Sequence, residues 1–346
     1  MRRVHRLSAA MSLVGVLFFQ ACGGSGGDRE SRGLNGNITA DGSSTVYPIT
    51  EAMAEEFQAQ NPDVRIPVGI SGTGGGFKKF SRGEIDIADA SRPIQESEMK
   101  AAAENRIDFV ELPVAYDGIA VVVNPKNSWV DHLTVAELKR LWEPQAQRKV
   151  MRWNQVRPGW PDRDIHLFGP GVESGTFDYF TEAVVGKSGA SREDFISSED
   201  DNVLVQGVSS DEGALAFFGY AYYQENQQRL KLVPIDDGKA DNGQGAVPPT
   251  PDTIRNGTYQ PLSRPIFIYV KKEAMGRPEV RAFVQFYLDS SLDLVPQVGY
   301  IPLPEEAYQA VAGRFNRGVT GSVFAGRPQI GVSMADLLKK ESGGER

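Results

Sequence analysis

The sequence predicts an α/β protein. Three observations carry that prediction: strand-like and helix-like runs alternate along most of the chain, turns rich in Ser, Thr and Gly sit where a strand gives way to a helix, and no fixed-period repeat interrupts the alternation. Residues 37-NITADG-42 read as a short strand, followed by Ile49, Ala52, Met53 and Phe57 at helical spacing. Next come a strand at 64-VRIPVGI-70, a short helix at 77-FKKFSRG-83 closed by Gly83, a strand at 84-EIDIADA-90 and a helix at 96-ESEMKAAAENR-106. A second block opens with a buried strand, 118-GIAVVVN-124. It continues with a helix at 134-TVAELKRLW-142, whose Val135, Leu138 and Trp142 share one face, a strand at 165-IHLFG-169 and a helix at 175-GTFDYFTEAVV-185. The pattern of 211-DEGALAFFGYAYYQ-224 predicts a further helix with a crowded aromatic face, and the polar, Gly- and Pro-rich 236–252 predicts a loop. A strand at 265-PIFIYV-270 and a helix at 277-RPEVRAFVQFYLDSS-291 complete the reading.

The first 21 residues stand outside this pattern. Arg2, Arg3 and Arg6 precede an apolar run from Leu7 to Phe19, which is the layout of a secretory signal and is short for a membrane span. Ala21 followed by Cys22, the only cysteine of the chain, resembles the lipobox of bacterial lipoproteins, in which the cysteine becomes the lipidated N-terminus. A single cysteine also excludes an internal disulfide. Residues 22–36 then read as lipidated Cys22 and a Gly- and Ser-rich tether. Cleavage removes three arginines and no acid, leaving 34 basic against 45 acidic side chains, a charge of −11. That balance disfavours nucleic acid as a partner, and it requires any anion site to be built locally from amides, hydroxyls and a few cations.

Catalytic motifs fail on spacing. The stretch 72-GTGGGFKK-79 has Phe77 before Lys78 where a P-loop needs glycine, 69-GISGT-73 ends in threonine where a nucleophile elbow needs glycine, and 169-GPGVES-174 ends its near-dinucleotide pattern in serine. His132 and His166, the histidines left after cleavage, stand in no metal-ligand spacing. The sequence therefore predicts no enzyme, no cofactor and no metal.

What remains are hydroxyl-rich turns placed before helices: Ser43, Ser44 and Thr45; Thr73 with Gly74 to Gly76; Ser174, Gly175 and Thr176; and Ser91 with Arg92. The first amides of a helix lack intrahelical partners and carry partial positive charge, so they hold oxyanions, while glycine permits close approach and Ser or Thr adds a donor. One such turn is an ordinary cap. Four, with a triple glycine that no cap requires, point to one tetrahedral anion.

The lipobox, 42-GSSTVYP-48, 72-GTGGGFKKF-80, 84-EIDIADASRPI-94, 174-SGTFDYF-180 and 300-YIPLP-304 together resemble the PstS-type phosphate-binding proteins of bacterial ABC importers, most of all their SphX-like branch. The resemblance implies a type II periplasmic-binding-protein fold with two α/β lobes, a cleft between them and two crossing strands, expected near 115-AYDGI-119 and 262-LSRPI-266. Lobe 1 is then 37–116 with 265–346, and lobe 2 is 117–264. It implies inorganic phosphate as ligand, held by Ser44, Thr45, Thr73, Gly74, Ser91, Arg92, Ser174, Gly175 and Thr176. It further implies an ABC permease and ATPase as partners and a lipid-anchored place on the extracytoplasmic side of the cell envelope. Two departures stand out. Ser91 occupies the position of the family's proton-accepting aspartate, and Pro170 that of its arginine, so Arg92 is expected to supply the missing guanidinium. Asp86, Asp89, Asp117 and Glu173 are candidates for the missing acceptor. Another oxyanion such as sulfate or arsenate, or a sensor without transport, is the alternative reading.

Overall fold

Short apolar runs bounded by Gly, Pro and hydroxyl residues fold into a central mixed sheet with helices packed on it. The computed structural model describes residues 33–240, 245–325 and 330; the leader, Cys22 and most of the tether lie outside them. Among the described residues the sheet has nine strands: β1 (Ala40–Gly42), β2 (Val68–Ile70), β3 (Ile87–Ala90), β4 (Phe109–Val123), β5 (His166–Pro170), β6 (Ile196–Ser198), β7 (Ala214–Gly219), β8 (Lys231–Leu232) and β9 (Ser263–Lys271). Their order is β2-β1-β3-β9-β4-β7-β5-β6, with β8 also on β4. Strands β1, β2 and β3 run parallel, as do β7, β5 and β6, and β9 and β4 join the two groups through antiparallel pairs. The main helices are α1 (Tyr47–Gln60), α2 (Gly72–Ser81), α3 (Glu96–Glu104), α4 (Val135–Trp142), α5 (Gly175–Val185), α6 (Asp201–Ser210), α7 (Tyr220–Glu225), α8 (Pro278–Gln297) and α9 (Glu305–Arg317). None of the described helices is long and apolar enough to cross a membrane.

Strand β4 ties the two groups together. All of its 15 residues are buried, as a near-continuous apolar run covered on both faces should be. Its first part pairs with β9 and its last part with β7 and β8. The β4–β9 register shifts once: Ile266 faces Ala115 and Phe267 faces Pro113, so Val114 is the extra residue of a bulge. The Val114 carbonyl is satisfied by the Tyr308 hydroxyl of α9 at 2.7 Å.

Aromatic packing fills the core beneath β7, where Phe180 stacks on Phe217 and Trp142 meets Phe217 edge-on at 4.8 Å between centroids. Such pairs contribute about 0.5–1.5 kcal/mol beyond area burial. This corrects the helix expected over 211–224. Ala214–Gly219 is a strand with every residue buried, and only Tyr220–Glu225 is helical. Five apolar residues bounded by Gly213 and Gly219, paired on both edges, satisfy strand geometry, and pairing with β4 and β5 outweighs the apparent helical face.

Smaller differences have local causes. Pro67 splits the expected strand 64–70, so Val64–Arg65 pairs with Gly36–Asn37 while Val68–Ile70 joins the central sheet. The tether ends earlier than expected, with Leu34 packed against the core. Helix α2 starts at Gly72 rather than at Phe77, β4 starts nine residues before the expected strand, and α9 had no sequence signal read for it.

Candidate functional site

Strand β1 ends in Gly42, where φ is +148° and the Asp89 carbonyl leaves no room for a Cβ. The chain then turns through Ser43, Ser44 and Thr45, all buried. The Ser43 amide donates to the Asp89 carbonyl at 3.0 Å and the Thr45 amide to Ser43 Oγ at 3.2 Å, which fixes the head of the 14-residue α1 beside the end of β3. Helix α2 opens at Gly72, with φ +74°, and lies so close to β1 that a Cβ on Gly76 would stand 2.7 Å from Gly42 Cα. The triple glycine therefore lets a helix start against a strand end. Within its first turn, Thr73 Oγ1 accepts the Ser91 amide and lies within hydrogen-bond distance of Ser91 Oγ, both at 3.2 Å.

The head of α5 closes the ring. Ser174 Oγ accepts the amides of Thr176 at 3.1 Å and Phe177 at 3.4 Å, the bonds of an N-cap. Gly175 sits against the first lining: a Cβ there would press into Thr73 Oγ1 and Ser91 Oγ. Thr45 Oγ1 and Thr176 Oγ1 share a hydrogen bond of 3.1 Å, and the Gly74 amide donates to the Glu173 carbonyl at 2.9 Å. The structure thus brings together Ser44, Thr45, Thr73, Gly74, Ser91, Ser174, Gly175 and Thr176. Three helix N-termini meet there, each contributing partial positive charge.

Charged residues complete the site: Arg264 and Asp201, which sequence reading did not assign, and Asp117 and Asp89, which it named as candidate proton acceptors. Arg264 of β9 is fully buried. It donates to Asp117 Oδ2 through Nε (3.2 Å) and Nη2 (2.9 Å), to Thr176 Oγ1 through Nη2 (2.7 Å) and to the Gly175 carbonyl through Nη1 (3.2 Å). Because Thr176 Oγ1 accepts from the guanidinium, its own proton turns toward Thr45 or the space between them, and the charge polarises the whole hydroxyl chain. Burial pushes the Asp117 carboxyl up, and Arg264 pulls it back. Asp201, at the head of α6, accepts from Ser44 Oγ at 3.4 Å and is buried as well. Burial holds its carboxyl up to about 7, against the pull of Arg264 and with the help of Asp117. Asp89 likewise is pushed up to about 7 by burial, although Thr50 Oγ1 donates to its Oδ1 at 3.0 Å. A charged residue inside an otherwise apolar strand was the signal for Arg264 and Asp117, since such groups are buried only when paired.

Arg92 is placed differently from the expectation. Its Nε donates to Asp178 at 2.7 Å, Nη1 to Glu98 at 2.8 Å and to the Pro93 carbonyl at 3.2 Å, and Nη2 to Glu98 at 2.8 Å. Two carboxylates therefore surround one guanidinium. It lines a cleft of about 390 Å3 with Gly74, Phe77, Glu98, Val172 and Asp178, at the outer side of the hydroxyl ring, where Lys78 and Glu173 also pair at 2.6 Å. Asp86 is engaged elsewhere, by Thr39 and Arg277. His132 and His166 are surface residues beside Asp131 and Asp211. Among the described residues no group of three or more His, Cys, Asp or Glu is arranged for a metal ion.

Two strand groups joined through β4 and β9, with a ring of amides and hydroxyls between them, define a receptor for a small solute. The chain belongs to the PBP superfamily, whose domain model matches residues 28–291. It is 52% identical over 307 residues to a protein named SphX from Synechocystis, spanning 88% of this chain and 90% of that protein. The phosphate-binding protein PstS of Staphylococcus saprophyticus is 38% identical over 293 residues, spanning 84% and 88%. Among solved structures, an ABC-type phosphate transport receptor from Vibrio cholerae superposes with a TM-score of 0.59 at 26% identity, covering 77% of this chain and all of that one.

Proposed function

We propose that this protein is the lipid-anchored receptor of an ABC importer, which captures inorganic phosphate between two lobes and delivers it to a permease and ATPase. The observation that carries the reading is the convergence of the heads of α1, α2 and α5 on buried hydroxyls polarised by Arg264. With Arg264 already neutralised by Asp117, the anion meets dipoles and donors rather than net charge. That suits a chain whose overall charge is −8. The ligand set is Ser44, Thr45, Thr73, Gly74, Ser91, Ser174, Gly175 and Thr176, with Arg264 in the part first expected of Arg92. The lobes are 37–116 with 265–346 and 117–264, bending where β4 and β9 cross. Each of the contacts Thr45–Thr176, Gly74–Glu173 and Ser44–Asp201 then spans the lobes, so ligand capture and closure are one event. Cys22 carries the lipid that holds the receptor at the extracytoplasmic face.

Calorimetric titration of the protein, stripped of bound anion, tests the ligand. Tight binding of phosphate with sulfate a weak competitor is the expected result, and sulfate binding as tight as phosphate would overturn it. The anchor has its own test: Cys22→Ser should leave the protein in the soluble fraction, and unchanged membrane association would refute lipidation.

A further inference from the structure

The segment 300-YIPLP-304 supplies none of the hydroxyl turns, yet its first residue is buried beside them. It follows α8, where Gly299 turns the chain with φ +83° and a Cβ would stand 3.5 Å from Ala221 Cβ of α7. The Tyr300 amide donates to the Val295 carbonyl at 3.2 Å, and Ile301 exchanges backbone bonds with Tyr116 of β4 at 2.8 and 3.2 Å. The loop is thereby clipped to the crossing strand one residue before Asp117. Tyr300, 3% exposed, is held close enough to Asp117, Asp201 and Arg264 to feel their charges. Its hydroxyl has no hydrogen-bond partner among the described residues.

The neighbouring donors are all committed. Ser44 Oγ donates to Asp201 at 3.4 Å, the Tyr222 hydroxyl donates to the Ser44 carbonyl at 3.1 Å, and Arg264 spends its nitrogens on Asp117, Thr176 and the Gly175 carbonyl. Burial pushes the Tyr300 phenol well above its ordinary value, with Asp117, Tyr222 and Asp201 adding and Arg264 opposing, so the proton stays on the oxygen and the group is a donor. A buried hydroxyl left unpaired is costly, and few are kept unless something else takes the bond.

We propose that the Tyr300 hydroxyl is a further ligand contact, donating a hydrogen bond to an oxygen of the bound anion. The inference rests on the oxyanion reading of the site. Tyr300 lies in lobe 1, whereas Asp201 and Tyr222 lie in lobe 2, so on that division its bond forms as the lobes close. It therefore slows release more than it speeds capture. It also makes the loop between α8 and α9 part of the pocket.

The experiment compares Tyr300→Phe with Tyr269→Phe by calorimetry with inorganic phosphate, stopped-flow release, and denaturant unfolding of the ligand-free proteins. Tyr269 is the matched control: it is also buried, but its hydroxyl donates to Glu111 at 2.7 Å and accepts the Ile94 amide at 2.9 Å. Tyr300→Phe should lose about tenfold or more in phosphate affinity, mostly as faster release, the share of a bond to a charged acceptor. Its unfolding midpoint should stay level or rise, because an unpaired polar group has been removed. Tyr269→Phe should do the reverse, with a lower midpoint and phosphate affinity within about threefold of the unaltered protein's. A smaller loss of affinity in Tyr300→Phe, unchanged release, or a loss accompanied by a midpoint lowered as in Tyr269→Phe would overturn the contact while the unaltered protein still binds phosphate. An unaltered protein that binds no phosphate would overturn it together with the oxyanion reading.

Discussion

Arg92 and Arg264 are both buried guanidiniums beside the same ring of hydroxyls, and they are spent in opposite ways. Arg92 faces Glu98 and Asp178, so its surroundings carry one negative charge more than they neutralise. Arg264 faces one carboxylate, Asp117, and gives its remaining bonds to a hydroxyl and a carbonyl. The first arrangement repels an anion and ties α3 to α5. The second is charge-balanced and offers an anion the polarised hydroxyls of Thr176 and Thr45. Counting arginines near a site therefore says less than counting the acids each one already serves.

Two substitutions separate these roles. Arg264→Ala should have the larger effect: the loss of its charge-assisted bond costs about a hundredfold in phosphate affinity. Leaving Asp117 buried without a partner should also lower stability by about 3–5 kcal/mol. Calorimetry and denaturant unfolding read the two losses, and a folded variant with near-normal affinity would remove Arg264 from the site. Arg92→Ala leaves the hydroxyl ring intact and removes the bonds to Glu98, Asp178 and the Pro93 carbonyl, so affinity should fall by less than tenfold, mainly through faster release. Stopped-flow dissociation measures this. A hundredfold loss would instead make Arg92 a direct ligand contact and erase the contrast.

Much of the fold was legible because its signals are local. Strand endings at Gly42 and Ala90, the Ser-Gly-Thr head of α5 and the apolar spacing of α1 and α4 all lie within one or two turns of chain. The hydroxyl members of the site were legible for the same reason, since each sits beside the helix whose amides it extends. Arg264 and Asp201 were not, and Asp117 was read only as a candidate proton acceptor and not as the partner of Arg264, because their meaning lies in contacts made far along the chain: Arg264 reaches Asp117 across 147 residues and Thr176 across 88, and Ser44 reaches Asp201 across 157. Strand β7 was misread for a related reason. Its aromatic crowding is a property of the sheet around it, where Phe217 meets both Trp142 and Phe180, and only tertiary pairing distinguishes that from a buried helix.

The bulge at Val114 governs the parity of the pocket. Residues directly opposite on neighbouring strands share a face, and Arg264 stands opposite Asp117 only because β4 carries one residue more than β9 between there and Phe267. In an unbulged ladder Arg264 would face Tyr116, and Asp117 would turn to the other side of the sheet. The ion pair at the heart of the site thus hangs on an apolar residue that touches no ligand. For this chain, the spacing between Pro113 and Asp117 is as much a part of the binding signature as any serine in it.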